Sequence, residues 1–158
     1  MTIQDQLLND MRLAMKSKND VMKNTVRLIR SAVQYEEKAN GEIASDDVVI
    51  GVLSRMARQY KESIEAYDNA GRQDLVEKEK AQLEIILGYL PEQLDRETVF
   101  EIAKSIAEDL GASGMNDRGK VMGALMPRVK GKAEGSLVNS VVVEILESIG
   151  EKGPGSVD

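Results

Sequence analysis

The chain of 158 residues contains no cysteine and no histidine. The absence of cysteine excludes disulfides, thiolate zinc sites and cysteine nucleophiles. The absence of histidine excludes imidazole metal ligands, Ser-His-Asp hydrolysis and a histidine general base. Only Asp, Glu, Lys, Tyr, Ser and Thr remain for acid–base or nucleophilic chemistry. We therefore expect a protein with no catalytic residues, no metal site and no cofactor.

Aromatic residues are scarce too, with no tryptophan, one phenylalanine and four tyrosines. All four tyrosines lie in the first 90 residues, at Tyr35, Tyr60, Tyr67 and Tyr89. Proteins that bind single-stranded nucleic acid stack the bases on aromatic side chains. The basic segment described below has no aromatic residue, so we do not expect base stacking there.

Long hydrophobic runs are absent as well. No apolar stretch approaches the roughly 18 residues that a membrane helix needs. The first ten residues, MTIQDQLLND, lack the basic and apolar regions of a signal peptide. We therefore expect a cytoplasmic protein that has no membrane partner.

Hydrophobic residues recur at helical spacing along most of the chain, and no segment shows convincing strand-like alternation. The pattern predicts four helices before Pro91 and three more after Asp95, where the proline and the capping aspartate mark a break. The sequence thus predicts an all-α protein. Its two parts are a four-helix unit at residues 1–90 and a smaller three-helix unit at residues 95–149.

Glycine and proline are concentrated in the last third of the chain and set the expected helix ends there. The sixth helix should cover residues 117–126, because Pro127 limits its length. Ser136 should cap the seventh helix. Residues 150–158 include the KGPGSVD sequence, which has no periodicity, so we expect a disordered tail.

The most informative positive feature is a basic segment, Gly111–Val143, in an acidic chain. It holds five basic and two acidic residues, a net charge of +3, whereas the whole chain carries −6. A local positive field can orient and hold a phosphate backbone even on a protein of negative charge. The alternative is a solvated surface that balances nearby acids. The five cations are Arg118, Lys120, Arg128, Lys130 and Lys132.

Two shorter patterns lie inside this segment. Lys130–Gly135 (KGKAEG) predicts a loop whose glycines allow close backbone approach and whose lysines offer cations to phosphates, or else a mobile helix connector. Four apolar residues next to it could contact a partner protein or belong to the core. These are Val121, Met122, Leu125 and Met126.

Gly114–Val121 (GMNDRGKV) differs by one residue from the nucleotide-binding pattern G-x-x-x-x-G-K-[ST]. Val121 has no hydroxyl group for magnesium, and the preceding segment is predicted to be a helix where a P-loop needs a strand. We therefore do not expect nucleotide binding here.

Three segments together resemble the YqeY family, small bacterial proteins that share a domain with the GatB subunit of a tRNA amidotransferase. They read TVRLIRSAVQYEEKANG, GRQDLVEKEKAQLEIILGYLPEQL and RGKVMGALMPRVKGKAEGSLVN. The resemblance covers about residues 1–149, and its third segment is the most specific. It implies a C-terminal unit similar to the tail of GatB, which holds tRNA away from the chemistry.

The resemblance singles out particular residues and a function. It points to Gly119, Gly123 and Gly131 as glycines of the loops, and to Asn139 as a neutral hydrogen-bond donor beside the five cations. It implies a non-catalytic accessory protein that binds tRNA or another structured RNA. The alternative is an adaptor that docks on an amidotransferase complex through the four apolar residues. At family level the resemblance would also imply carbon–nitrogen ligase activity with glutamine as amide donor. However, no part of this chain resembles the catalytic subunit of the amidotransferase.

Overall fold

The computed structural model describes residues 1–152, and all regular secondary structure within that range is helical. The prediction of an all-α protein is confirmed. Among the described residues there are seven α-helices, one 3-10 helix and no strand. The helices are α1 (Ile3–Lys16), α2 (Asp20–Asn40), α3 (Asp46–Asn69), α4 (Gln73–Gly88), α5 (Arg96–Leu110), α6 (Arg118–Val129) and α7 (Gly135–Lys152), with the 3-10 helix at Met115–Asp117.

Local side-chain caps fix several helix ends. Ser45 Oγ accepts a hydrogen bond from the backbone N–H of Val48 at 3.4 Å, and Asp95 Oδ1 accepts one from Thr98 at 2.8 Å. Each bond satisfies an N–H group that has no partner inside the helix. Helix α2 ends at Gly41, which has a φ of 75°. A residue with a Cβ would be strained in this conformation.

The first compact unit spans Met1–Pro91 and contains α1 to α4. Its core is a cluster of apolar side chains from all four helices. The hydroxyl of Tyr89 donates a hydrogen bond to Asp10 Oδ2, joining the end of α4 to α1. The buried residues of the cluster are Leu7, Val26, Ile29, Val33, Val49, Val52, Leu53, Met56, Ala57 and Ile86.

The second compact unit begins at Glu92 and contains α5, the 3-10 helix, α6 and α7. Its core is a cluster of buried apolar side chains from the three α-helices, and full burial of one large aliphatic side chain contributes about 1.5–3 kcal/mol. The buried residues of the cluster are Val99, Ala103, Ile106, Ala107, Val121, Leu125, Val129, Val138, Val141, Val142, Ile145 and Leu146.

Two helix boundaries in this unit differ from the predictions. The prediction that Pro127 ends the sixth helix at residue 126 is wrong, because α6 continues to Val129. Val129 is fully buried, and the backbone N–H of Lys130 still bonds to Met126 O at 2.9 Å, so packing holds one further turn. The seventh helix starts at Gly135 instead of after Ser136.

The predicted disordered tail is also corrected in part. Residues 150–152 belong to α7, which extends to Lys152. The remaining positions of that prediction, 153–158, lie outside the described residues.

Candidate nucleic-acid interface

Helix α6 presents two cations on the side that faces away from the core. Its buried side is formed by Val121, Leu125 and Val129, which follow i, i+4, i+8 spacing. Lys120 and Arg128 are both exposed, and their eight-residue spacing places them about two turns apart on the outer surface of this helix. With a rise of 1.5 Å per residue, their Cα atoms are about 12 Å apart along the helix axis.

The exposed surface of α6 around these cations consists of small residues. Gly119 and Gly123 are exposed, and a Cβ added at either would meet nothing within 4 Å. Both lie inside the helix, so the prediction that they are loop glycines is wrong. On the helix surface Ala124, which is also exposed, lies between Lys120 and Arg128, so only small residues stand beside the two cations.

The loop after α6 is a tight turn around Gly131. Lys130 has φ −56° and ψ 125°, Gly131 has φ 76°, and the N–H of Lys132 donates to Val129 O at 2.8 Å. These values are those of a type II β-turn, which requires a positive φ at its third residue. The turn therefore explains the Lys-Gly-Lys sequence, in which a buried glycine separates two exposed lysines.

The segment before α5 holds this turn from outside. Gln93 Nε2 donates a hydrogen bond to Gly131 O at 2.7 Å, and the N–H of Leu94 donates one to Lys132 O at 2.8 Å. Sequence reasoning missed both residues, because no local pattern links positions 93 and 131. They also lie just outside the predicted unit of residues 95–149.

Four of the five predicted cations form what we call the cationic strip: Lys120, Arg128, Lys130 and Lys132. All four side chains are exposed. None of them makes a hydrogen bond or an ion pair with another residue in the described range 1–152. Their charges are therefore available to a ligand.

The carboxylate of Asp117 interacts electrostatically with Lys120 of the cationic strip and accepts hydrogen bonds from Ser113. Asp117 Oδ2 accepts from the backbone N–H of Ser113 at 2.8 Å and from its hydroxyl at 3.2 Å. The backbone hydrogen bond from Ser113, its hydroxyl and the nearby charge of Lys120 lower the pKa of Asp117 below its usual value of 3.8. Asp117 is therefore ionised at neutral pH and offsets part of the charge of Lys120.

The fifth cation is engaged within the protein. Arg118 Nε donates a hydrogen bond to Asn139 Oδ1 at 3.0 Å, which connects α6 to α7. The structure thus brings together two predicted site residues that were expected to contact RNA separately. Whether Asn139 also donates to RNA stays a prediction.

The four apolar residues that were predicted as a partner contact mostly belong to the core. Val121 and Leu125 are 1% and 0% exposed and sit inside the core cluster of the second unit. They are not available to a partner, so their assignment as contact residues is wrong. Met122 and Met126 are half-buried and pack against the same cluster.

No helix within residues 1–152 is long and apolar enough to cross a membrane. In the same range, no group of three or more acidic side chains is arranged to hold a metal ion.

The sequence matches the family of Yqey-like proteins over residues 4–146. The chain belongs to this family. The match includes nearly all of α1, α2 to α6, the turn at Gly131 and most of α7, and the resemblance to the YqeY family is confirmed.

Fungal relatives of this Yqey-like chain are named "Altered inheritance of mitochondria protein 41, mitochondrial". The relative from Pyrenophora tritici-repentis is 35% identical over 149 residues, 93% of this chain and 81% of its own length. The one from Vanderwaltozyma polyspora is 27% identical over 151 residues, 90% and 81% of the two chains. The one from Lachancea thermotolerans is 32% identical over 106 residues, 65% and 57% of the two chains.

These relatives correct two expectations about the origin of the Yqey-like chain. A bacterial, cytoplasmic protein was expected from the sequence. The relatives are fungal and carry the word mitochondrial in their names, which contradicts both expectations.

Proposed function

We propose that this Yqey-like protein is a non-catalytic accessory protein that binds structured RNA, with tRNA as the first RNA to test. The observation that carries the proposal is the cationic strip, in which four exposed cations make no side-chain hydrogen bond or salt bridge with the described residues. On a protein whose net charge is −6, such a strip directs a polyanion to one place. The second unit would correspond to the tail domain of GatB.

The chemistry of the strip favours contact with phosphates over contact with bases. Lysine ammonium groups act as point charges, and Arg128 adds a planar group that can hold one phosphate with two hydrogen bonds. The strip contains no aromatic side chain on which a base could stack. Proteins recognise double-helical and folded RNA mainly through phosphates and 2′-hydroxyl groups. We therefore expect weak sequence specificity.

The shape of α6 supports the same mode of binding. Gly119, Gly123 and Ala124 keep the helix surface beside Lys120 and Arg128 free of large side chains. Beyond Arg128, the turn at Gly131 carries two more lysines, so the cations follow one another along the helix and past its end. This arrangement fits several successive phosphates of a backbone better than a single bound anion.

An adaptor that docks on an amidotransferase complex is the alternative. The burial of Val121 and Leu125 leaves it only Met122 and Met126 on this helix, and both are half-buried. Because such docking would be apolar, it would depend little on salt, whereas phosphate binding weakens steeply as salt rises.

The experiment compares two matched charge reversals. Lys130→Glu with Lys132→Glu reverses the turn, while Lys78→Glu with Lys80→Glu reverses two exposed lysines of identical spacing on α4. Both variants change the net charge equally, so a general loss of attraction affects them alike. The names of the relatives make mitochondrial tRNA a suitable RNA.

We expect the turn variant to bind tRNA at least about tenfold more weakly, since each lost phosphate contact costs affinity. The α4 variant should stay within about twofold of the unaltered protein, and circular dichroism should show that both are folded. Equal affinities for the two variants would contradict the proposal.

A further inference from the structure

Two consecutive residues before α5 bind two consecutive carbonyl groups of the lysine turn. Gln93 Nε2 donates to Gly131 O at 2.7 Å, and the backbone N–H of Leu94 donates to Lys132 O at 2.8 Å. We call this pair of contacts the clasp. It joins residues that are 38 positions apart in the sequence.

The clasp is anchored on its own side. The side chain of Leu94 packs against the core of the second unit. The next residue, Asp95, caps α5 by accepting a hydrogen bond from the N–H of Thr98 at 2.8 Å. Gln93 and Leu94 therefore connect the turn to the start of α5, which is itself packed and capped.

Apart from the clasp, the turn is held by its own backbone hydrogen bonds and by the buried Val129. Inside the turn, Val129 O accepts from the N–H groups of Lys132 and Ala133. Gly131 lies between the two lysines and has more backbone freedom than any other residue type. Loss of the clasp would allow Lys130 and Lys132 to move apart, so that binding a phosphate backbone would require ordering them first.

We propose that Gln93 is a positioning residue for RNA binding, which acts through Lys130 and Lys132 by fixing the turn between them. The inference rests on the proposed function. Gln93 carries no charge, so its removal should weaken binding without changing the number of phosphates that the protein neutralises. Loss of one neutral hydrogen bond corresponds to a decrease in affinity of about two- to tenfold.

The coupling must also act in the opposite direction. If the clasp favours RNA binding, bound RNA favours the closed clasp by the same factor. The N–H of Leu94 is part of the clasp and exchanges with solvent only when it opens. We therefore expect RNA to slow hydrogen exchange at Leu94.

The test is a double-mutant cycle. RNA affinity is measured for the unaltered protein, for Gln93→Ala, for Lys130→Ala with Lys132→Ala, and for the triple variant. The control is Gln73→Ala, because Gln73 Nε2 makes a similar hydrogen bond of 2.8 Å to Asp68 in the first unit. Hydrogen exchange of the Lys132 amide in the free protein reports the state of the turn without RNA.

Gln93→Ala should weaken binding about two- to tenfold, speed exchange at Lys132 and have little further effect once both lysines are absent. Gln73→Ala should be neutral. Equal effects of Gln93→Ala with and without the lysines, or unchanged exchange at Lys132, would overturn the positioning role while RNA binding stands. Unchanged affinity after removal of both lysines would instead refute the proposed function, and the positioning role with it.

Discussion

Arg118 and Asn139 form a hydrogen bond of 3.0 Å between the first residue of α6 and the second turn of α7. Asn139 is half-buried and Arg118 is exposed. The pair orients the guanidinium group next to α7, so the two residues act as one unit at this end of α6.

Alanine substitutions of Asn139 and Arg118 distinguish the effect of orienting the guanidinium group from the effect of its charge. Asn139→Ala should lower the free energy of unfolding by no more than about 1 kcal/mol, because an exposed hydrogen bond contributes little. Arg118→Ala should weaken tRNA binding more than Asn139→Ala, since it removes the charge as well as the contact. Urea unfolding and tRNA titration measure the two effects. Equal losses of affinity would mean that Asn139 itself contacts the RNA.

Replacement of Gly123 by alanine should raise stability and weaken RNA binding at once. A glycine inside a helix costs about 1 kcal/mol relative to alanine, and the added Cβ meets nothing within 4 Å. The same methyl group would cover exposed helix backbone beside Lys120. Gly51→Ala is the matched control, because Gly51 is exposed inside α3 with the same open surroundings. Gly51→Ala should raise the free energy of unfolding without changing the affinity for tRNA. An unchanged affinity of Gly123→Ala would show that close approach of RNA to the helix backbone is not needed.

Replacement of Gly131 by alanine should destabilise the turn. Its φ of 76° costs a residue with a Cβ about 1–2 kcal/mol. Gly41 has a φ of 75° at the end of α2, so Gly41→Ala should lower the free energy of unfolding by a similar amount. Only Gly131→Ala should also reduce affinity for tRNA. Thermal unfolding and tRNA titration of both variants check this, and a loss of affinity in Gly41→Ala would contradict the assignment of binding to the turn.

Asp117 should contribute to stability in a pH-dependent way. Its pKa is lowered in the folded state from a usual value of 3.8, mainly by the backbone hydrogen bond from Ser113. The contribution is therefore complete above about pH 5 and is lost as the pH falls below 3.8 through the lower folded value. Asp117→Asn cannot titrate. The difference in urea unfolding between the two proteins should shrink from pH 5 to about pH 2, and a constant difference would refute the assignment.

The sequence predicts those parts of the fold that local chemistry determines. Asp95 begins a helix at the predicted place, because a cap acts within one turn of its own position, and Ser45, Gly41 and Gly111 mark helix ends in the same local way. Pro127 was misleading, since its local effect is outweighed by the burial of Val129. The i, i+4, i+8 spacing of Val121, Leu125 and Val129 indicates a helix that continues to residue 129. It also indicates that Val121 and Leu125 face the core.

The candidate site was only partly predictable for a different reason. Charge and composition identify the cations, because exposed lysines on a helix or turn need no distant partner. The clasp of Gln93 and Leu94 joins segments far apart in the sequence and leaves no local pattern. The same holds for the bond between Arg118 and Asn139, which depends on how α6 packs against α7.

The central claim, that the cationic strip binds RNA through phosphates, is tested most directly by the salt dependence of tRNA binding. Four phosphate contacts predict that log K falls against log salt with a slope of about −3 to −4. Lys130→Ala with Lys132→Ala should make that slope less steep by about 2, one for each lysine. A slope near zero, or a slope that the loss of both lysines leaves unchanged, would contradict the account.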